Sequence, residues 1–271
     1  MPRSIVKGED GQRRPGPDAL EDPLFVAAVA RCMQVLSAFH RSDKPMSLTD
    51  IAAASGVGRS AAQRVVHTLR ALGYIERDAA QRGYVPGIRI LDHALDYLRL
   101  NPLIERATPI LLDLRRNVRE RVDLSLFDDL RVVYATRLQS KRETFFATLM
   151  GHSVPTFCTS GGRAIMAHLT DAEVDDIIAR SDRRPFTDKT ITAPDAVRAM
   201  VQEARQLGYA LTVEEVLVGE VALGVAVLGS GGRPLGAIHI AGSLSEWTPE
   251  AFRTRFAPLA AEAANAINRF R

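Results

Sequence analysis

The chain has 271 residues, a length that fits two domains at about 150 residues each. Its composition, 46% hydrophobic, 25% charged and 6% aromatic, is typical of a globular protein and excludes a wholly disordered chain. Charge, Pro or Gly interrupts every apolar stretch well before the about 20 residues that a membrane-spanning helix needs. The first ten residues lack a signal-peptide core, and Cys32 and Cys158 have no metal-ligand spacing. We therefore expect a cytoplasmic protein without a disulfide or a cofactor.

The net charge of +3 is distributed unevenly along the chain. Residues 1–23 are rich in Pro, Gly and charge, carry a net charge of −1, and are predicted to form a disordered leader. Residues 24–100 hold ten basic and six acidic side chains, whereas residues 101–271 are neutral. This distribution suggests that the compact basic segment has an electrostatic function and that the larger neutral segment has a function that does not depend on charge.

The basic segment begins with an apolar repeat that predicts an amphipathic helix from Leu24 to about His40. Ser47 and Asp50 are placed to form a short-armed capping box at the start of a second helix. Gly56 then suits the left-handed turn that separates this helix from a third, which we expect from about Arg59 to Leu72.

The third helix has one apolar face and one polar face without an acidic residue. The pattern of residues Glu76 to Tyr84 predicts two short strands joined by a polar turn. Three helices followed by such a hairpin predict a winged helix-turn-helix whose third helix fits a DNA major groove. The predicted DNA contacts on the helix and wing are Arg59, Ser60, Gln63, Arg64, His67, Arg77 and Arg82. A solvated helix face or a protein-binding module are the alternatives that this pattern leaves open.

The rest of the chain predicts an α+β fold. Residues 87–101 form a linker helix, and a helix from Leu103 to about Arg121 precedes the rest of the domain. Strands are predicted at 122–127, 131–138, 144–150, 221–228 and 235–241. A last helix is capped by Thr248 with Pro249 at its first position. The predicted divisions are 1–23, 24–86, 87–101 and 102–271.

One segment of the neutral part, Thr159-Ser160-Gly161-Gly162, leads straight into a helix. Backbone amides at such a start, unshielded by side chains at the glycines, suit a carboxylate. A plain glycine turn is the structural alternative. Arg137 and Phe157 are weaker candidates for the wall of the same site.

Two other classes of function are open. An enzyme could use Cys158, His152 and Asp171 as nucleophile, base and orienting group, although no nucleophile-elbow pattern or phosphate-binding glycine loop supports this. The second alternative is an architectural DNA binder that has no effector. In such a protein, dimerisation would be the only function of the neutral part of about 170 residues.

The run SLTDIAAASGVGRSAAQRVVHTLRALGYIERDAAQRGYVPG resembles the DNA-binding domain of the IclR family of bacterial transcriptional regulators. The segments VVYATRLQS, VPTFCTSGGRAIMAHL, LGYALTVEEVLVG and RPLGAIHIAGS resemble blocks of that family's effector-binding domain, so the likeness covers about residues 24–271. FVAAVARCMQVLSAF and CTSGGR are similar to the branch that controls aromatic-acid catabolism, the PcaR, PcaU and PobR type.

The resemblance implies a homodimer, which can associate further into a tetramer, that binds palindromic operator DNA and responds to a small organic acid. It implies a GAF-like fold for the effector-binding domain and places the effector near the Gly-rich segment and at four further positions: Thr212, Ala222, His239 and Ala241. Ala222 and Ala241 make the pocket less polar than in glyoxylate-type members, which favours an aromatic acid or its derivative. A small aliphatic keto or hydroxy acid is the alternative. A lone His is also commonly a satisfied core residue.

Overall fold

The computed structural model describes residues 21–139 and 150–269, which divide into two compact units at Arg99/Leu100. The described residues of the first unit form four α-helices and two strands, besides a short 3-10 helix at Phe39–Arg41. They are α1 (Ala27–Ala38), α2 (Leu48–Ser55), α3 (Arg59–Ala71), β1 (Ile75–Arg77), β2 (Tyr84–Pro86) and α4 (Ile90–Leu100). The predicted leader lies almost entirely outside the described residues.

The first unit is a winged helix-turn-helix. Gly56 ends α2 with a φ of +69°, a left-handed conformation that glycine adopts without strain. β1 and β2 pair antiparallel, and Met46 adds a bridge to Tyr84. The core beneath the helices consists of Val35, Ala38, Met46, Ile51, Val57, Ala62, Val66, Leu69 and Ile75. The wing is thus attached to the segment that precedes α2.

The apolar repeat predicted for the first helix is divided between this core and solvent, since Leu36 and Phe39 pack against the core. Val26, Val29 and Met33 are 60%, 58% and 56% exposed, and the helix begins only at Ala27. Val35 and Ala38 are the buried residues of α1. The linker helix likewise begins at Ile90 rather than Gly87, and none of its residues is buried. Periodicity correctly identified both helices, but the part of the α1 repeat that packs against the core is its C-terminal part, beside Val35 and Ala38.

The second unit is an α+β domain built on a six-stranded antiparallel sheet in the order β5-β4-β3-β8-β7-β6. Its strands are β3 (Arg121–Asp128), β4 (Arg131–Leu138), β5 (Ser153–Pro155), β6 (Ala210–Val213), β7 (Glu220–Leu228) and β8 (Pro234–Ser243). Its helices are α5 (Pro102–Val118), α6 (Ser160–Met166), α7 (Asp171–Arg180), α8 (Pro194–Leu207) and α9 (Pro249–Arg269). The predicted α+β class is confirmed. Most of the predicted strand 144–150 lies outside the described residues, and Met150 is in a turn.

Different helices pack on the two faces of the sheet. Two residues of β8 on opposite faces, Gly242 and His239, identify the helix on each face. A Cβ added at Gly242 would lie 2.7 Å from the ring of Phe252, so this face packs against α9. A Cβ added at Gly161 would lie 2.1 Å from His239, which has the opposite strand parity, so α6 packs against the other face. The α6 face therefore contains the predicted effector residues.

The helix α2 depends on a local capping box for its first turn. Ser47 Oγ accepts the N–H of Asp50 at 3.2 Å, and Asp50 Oδ2 accepts the N–H of Ser47 at 2.9 Å. Ser47→Ala removes an acceptor for the free amides and should lower the free energy of unfolding of this unit by about 1 kcal/mol. Hydrogen exchange at the amides of Ile51 and Val66 measures this. Ser47→Asn keeps an acceptor and is the control; equal losses in both variants would contradict the capping role.

Candidate DNA-binding surface and effector pocket

The polar face of α3 is presented to solvent as one continuous surface. Arg59, Ser60, Gln63, Arg64 and His67 are all exposed, while Ala62, Val66 and Leu69 on the opposite side are buried. Leu72, the predicted end of this helix, is 54% exposed. No acidic residue lies on α3. A protruding basic helix of this kind matches the dimensions of a major groove.

The wing carries the other two predicted DNA contacts, Arg77 and Arg82, and both are exposed. The Arg77 guanidinium lies 4.2 Å from the ring centroid of Tyr84, its cross-strand neighbour, in a cation–π contact across the wing. The buried Asp78 accepts the N–H of Gly83 at 2.8 Å and that of Arg82 Nε at 3.3 Å. Asp78 thereby holds the tip closed and keeps Arg82 beside it.

The sequence interpretation missed a set of contacts that attach α4 to the end of α3. Gly87 N–H donates to the carbonyl of Tyr74 at 2.8 Å, and Ile88 N–H donates to Glu76 Oε1 at 3.2 Å. The rings of Tyr74 and His93 stack with centroids 5.5 Å apart, and the Tyr74 hydroxyl is hydrogen-bonded to His93 Nε2. A Cβ at Gly87 would lie 2.2 Å from the carbonyl oxygen of Gly73. The linker helix is therefore held tightly against the DNA-facing element.

In the second unit, a cavity of about 30 Å³ lies between the start of α6, the strands β3, β4, β7 and β8, and the loop that follows β6. Five of the predicted effector residues line it together: Thr159, Ser160, Thr212, Ala222 and His239. At this volume the cavity accommodates about one water molecule, so any organic ligand requires its walls to open.

The other predicted effector residues lie beside the cavity rather than on its wall. Phe157 is fully buried in the cluster that α6 forms with α7 and α8. Gly161 and Gly162 allow close packing, since a Cβ at Gly162 would lie 2.0 Å from the carbonyl oxygen of Thr156. Ala241 pairs in register with Ala222 and Arg121. The amide of Gly162 already donates to Thr159 Oγ1 at 3.2 Å.

The hydroxyl of Ser160 lies at this cavity without a hydrogen-bond partner among the described residues. Ser160 is 2% exposed, and its Oγ accepts and donates no hydrogen bond within residues 21–139 and 150–269. A buried hydroxyl without a partner destabilises the folded state by about 1–3 kcal/mol. Such an atom beside a cavity indicates a place where a ligand can supply the missing hydrogen bond.

The cavity wall also contains charged residues that the sequence interpretation did not select: Arg121, Glu214, Glu215 and Glu220. Arg121 donates to Asp123 Oδ2 at 3.0 Å and to Glu220 Oε2 at 2.8 Å. Burial lowers the pKa of the Arg121 guanidinium, but the two carboxylates outweigh it and leave this pKa raised. Arg121 and Asp123 are alternate residues of β3, but the sequence interpretation began this strand at residue 122 and extended the preceding helix to about Arg121. The helix in fact ends at Val118, so of the two residues only Asp123 lay within the predicted strand.

A second arginine, Arg137, reaches the same carboxylate. Its Nε lies 3.3 Å from Asp123 Oδ1, and its guanidinium stacks 4.3 Å from the ring centroid of Tyr134. Asp123 is fully buried and thus joins two cations beneath the pocket. Because the four charges of Arg121, Arg137, Asp123 and Glu220 balance, the polar floor of the pocket stays neutral before a ligand arrives.

A further buried ion pair fixes the Gly-rich segment. The Arg163 guanidinium donates to the two carboxylate oxygens of Glu215 at 2.6 and 2.7 Å and to the carbonyl of Phe157 at 3.0 Å. Glu215 Oε2 also accepts the N–H of Ile191 at 3.0 Å. The pair joins α6 to the loop after β6 and to the segment before α8.

His239 is neutral in this setting. It is 2% exposed, and its Nε2 lies 2.7 Å from Ser125 Oγ. Burial lowers the pKa of His239 to about 4; Asp123 opposes this shift, and Arg121 and Arg137 add to it. A neutral imidazole can both donate and accept a hydrogen bond, which suits recognition of a polar organic ligand.

The residues of the enzyme alternative do not form a catalytic arrangement. Cys158 is fully buried in the cluster of α6, α7 and α8. Asp171 pairs with Arg205 at 2.6 Å, and His152 stacks against Tyr134. Within the described ranges, no group of His, Cys, Asp and Glu could hold a metal ion, and no helix is long and apolar enough to cross a membrane.

The pKa of His239 predicts a pH dependence of stability. Between about pH 6.5 and pH 4 the unfolded chain binds a proton at this position that the folded chain does not, so stability falls as the pH drops through this window. His239→Asn does not titrate and should lose less stability than the wild type between pH 7 and pH 5 in urea unfolding. The histidines His152 and His168 are common to both proteins, so equal losses would overturn the assignment.

Two family models match the chain and together span most of it. The model described as the IclR helix-turn-helix domain matches residues 28–79, and the model described as the IclR C-terminal domain of bacterial transcriptional regulators matches residues 95–269. The relatives are regulators and not enzymes, as predicted.

Three matches illustrate the similarity. The "Pca regulon regulatory protein" of Pseudomonas putida is 26% identical over 88% of this chain and 81% of its own length. The "p-hydroxybenzoate hydroxylase transcriptional activator" of Acinetobacter baylyi is 25% identical over 90% of this chain and 91% of its own. An IclR homologue from Microbacterium hydrocarbonoxydans, solved as a complex with 4-hydroxybenzoate, has the same fold with a TM-score of 0.70, 21% identity, and coverage of 89% of this chain and 98% of its own. These regulators match the predicted aromatic-acid branch, and the chain belongs to the IclR family of bacterial transcriptional regulators.

Proposed function

We propose that this regulator binds palindromic operator DNA as a homodimer and that an aromatic carboxylic acid, or a close derivative, is its effector. The observation that carries the DNA-binding part is the exposed face of α3, where Arg59, Arg64 and three other polar residues lie without an acid among them. Arg64 and Gln63 are suited to base edges, and Arg77 and Arg82 on the wing are suited to phosphates. Because its target is chromosomal DNA, the protein acts in the bacterial cytoplasm.

Dimerisation is supported by apolar side chains that the first unit leaves in solvent. Exposed large hydrophobic residues on and next to α1 and α4 include Leu24, Val26, Val29, Met33, Ile88, Leu91 and Leu95. Exposed apolar surfaces of this extent are typical of association surfaces. A second copy of the chain has the same apolar surface, so two copies can cover each other's. Two copies also present two α3 helices, as a palindromic site requires.

The effector part of the proposal rests on the cavity beside α6. Ser160 Oγ lacks a partner, His239 is neutral, and Arg121 supplies a positive charge that two carboxylates now share. A ligand carboxylate can complete the bonding of Ser160 and exchange with Glu220 on Arg121. Ala222 leaves room on the β7 wall. The 4-hydroxybenzoate complex of the Microbacterium homologue and the aromatic-acid names of two relatives support an aromatic body for the ligand.

The DNA-binding proposal predicts that Arg64→Ala weakens specific binding without loss of fold. A bidentate arginine contact to guanine contributes about 1–3 kcal/mol of discrimination, so binding to operators selected in vitro by the wild type should weaken at least about tenfold. Fluorescence anisotropy measures this, with far-UV circular dichroism as the test of folding. Arg99→Ala is the matched control, since it removes an exposed arginine at the end of α4.

The DNA-binding proposal also predicts that the logarithm of the binding constant for operator DNA falls steeply with the logarithm of the salt concentration. A flat salt dependence would exclude phosphate neutralisation.

The effector proposal predicts that benzoate, 4-hydroxybenzoate or phenylacetate raises the melting temperature of the full chain. A ligand at 100 times its Kd adds about 2.7 kcal/mol, which corresponds to several degrees for a domain of this size. Glyoxylate, pyruvate and the amides of the aromatic acids complete the panel. A shift with the aliphatic acids alone would replace the aromatic assignment by the aliphatic one.

Ser160→Ala tests the assigned pocket because it should affect the stability of the free protein and the stabilisation by the ligand in opposite directions. Removing a buried hydroxyl that has no partner should leave the free protein as stable as the wild type or more stable. The same change should reduce the ligand-induced shift, since the ligand loses a hydrogen bond. If the ligand raises the melting temperature of Ser160→Ala as much as that of the wild type, the ligand binds outside this cavity.

A further inference from the structure

The ionisable side chains around the effector cavity carry more negative than positive charge. The acidic residues are Asp123, Glu214, Glu215 and Glu220, and the basic residues in the described part of the chain are Arg121, Arg137 and Arg163. Three further residues titrate here: Tyr134, His152 and His239. Burial raises the pKa of Tyr134, lowers the pKa of His152 and lowers the pKa of His239 to about 4, so all three are neutral near pH 7. Four carboxylates therefore face three guanidinium groups before a ligand binds.

Each of the three guanidinium groups is already paired with a carboxylate. Arg121 donates to Asp123 and Glu220, Arg137 lies beside Asp123, and Arg163 donates to both oxygens of Glu215. A ligand carboxylate must therefore displace a carboxylate of the protein, because no free cation of the described residues meets it. Glu220 is the exchangeable partner: its side chain is 19% exposed, whereas Asp123 is fully buried and binds two arginines.

The backbone amides at the start of α6 are engaged as well. The N–H of Gly162 donates to Thr159 Oγ1 at 3.2 Å, and the N–H of Arg163 donates to the carbonyl of Thr159 at 2.9 Å. The amide of Gly161 is covered by β7, since a Cβ added at Gly224 would lie 2.4 Å from the Gly161 nitrogen. These three amides cannot compensate a new negative charge.

The hydroxyl of Ser160 is the side-chain group of the lining that still lacks a hydrogen bond among the described residues. A hydroxyl can donate or accept a hydrogen bond, and it carries no charge. It therefore binds the carbonyl of an uncharged ligand without difficulty. Burial of a further carboxylate beside an excess of carboxylates is unfavourable unless a cation or a proton accompanies it.

We propose that the effector pocket binds its ligand without a change in net charge, so that an aromatic carboxylate binds together with one proton. This inference rests on the proposed effector function. When the ligand carboxylate replaces Glu220 on Arg121, the Glu220 carboxylate accepts a proton from solvent, and the total charge of the site is unchanged. An uncharged aromatic amide binds without a proton. Glu220 is thus the residue that sets the preference between ionised and neutral ligands.

The test compares aromatic acids with their own amides in the full-length chain. The probes are benzoate, 4-hydroxybenzoate and phenylacetate, each beside its amide, and isothermal titration calorimetry measures the association constant between pH 6 and pH 8. The acids are ionised throughout this range, so uptake of one proton lowers their association constant about tenfold per pH unit, or about 100-fold in total. The amides should change by less than about twofold. Titrations in buffers of different ionisation enthalpy count the protons directly: about one for each acid and none for each amide.

Glu220→Gln tests the residue itself. This substitution removes one negative charge from the site, so the variant should bind the acids without a proton, with an association constant that is independent of pH and at least about tenfold above that of the wild type at pH 8. Glu262→Gln removes an exposed carboxylate of α9 and is the matched control, which should keep the wild-type pH dependence. Far-UV circular dichroism checks that both variants are folded; should Glu220→Gln fail to fold, the comparison of acids with amides in the wild type still tests the proposal.

The possible results separate this inference from the proposed function. Acids that bind the wild type with a pH-independent association constant and no proton uptake would overturn the inference and leave the proposed effector in place. Binding of the amides alone would support the charge-conserving pocket and restrict the effector to uncharged derivatives. A pH dependence that persists in Glu220→Gln would overturn the role of Glu220. If none of the acids or amides binds, the proposed effector fails and this inference fails with it.

Discussion

The buried ion pair between Arg163 and Glu215 is the interaction on which the effector-binding part depends. Arg163 is 1% exposed and Glu215 is 5% exposed, so each charge is tolerated only because the other is present. The pair connects α6 to a loop more than 50 residues later, and that loop forms one wall of the cavity. Because Glu215 also accepts the amide of Ile191, one carboxylate fixes three segments around a small space. A ligand that opens the pocket must move the loop without separating this pair.

The features that were predicted correctly are those set by neighbouring residues. The capping of α2 by Ser47 and the turn at Gly56 follow from local hydrogen bonding and backbone sterics, and the structure shows both. The apolar repeat of α1 lies only partly against the core, because Val26, Val29 and Met33 continue it at helical spacing but face solvent in a single chain. Periodicity reports that a face is apolar; it does not report whether the surface that covers it belongs to the same chain.

Five of the residues predicted to bind the effector line one cavity, but the charges around that cavity were not predicted. Thr159 and Ser160 were selected from the Gly-rich helix start, and Thr212, Ala222 and His239 through the resemblance. Arg121 and Glu220 meet only because β3 and β7 are both paired with β8, across 99 residues of sequence. Sheet pairing of this kind is not encoded by any short pattern. The short strands β5 and β6, with three and four residues, are likewise too brief to give an alternation signal.

The contact between Gly73 and Gly87 has a consequence for the geometry of the operator. The two backbones approach so closely that no side chain fits at Gly87, and the Tyr74–His93 stack closes the same junction. These contacts fix the position of α4 relative to α3 and the wing. If the proposed dimer uses α4, the distance between its two α3 helices is set by the fold. We then expect such a dimer to select a palindromic operator by the spacing of its half-sites as well as by their base sequence.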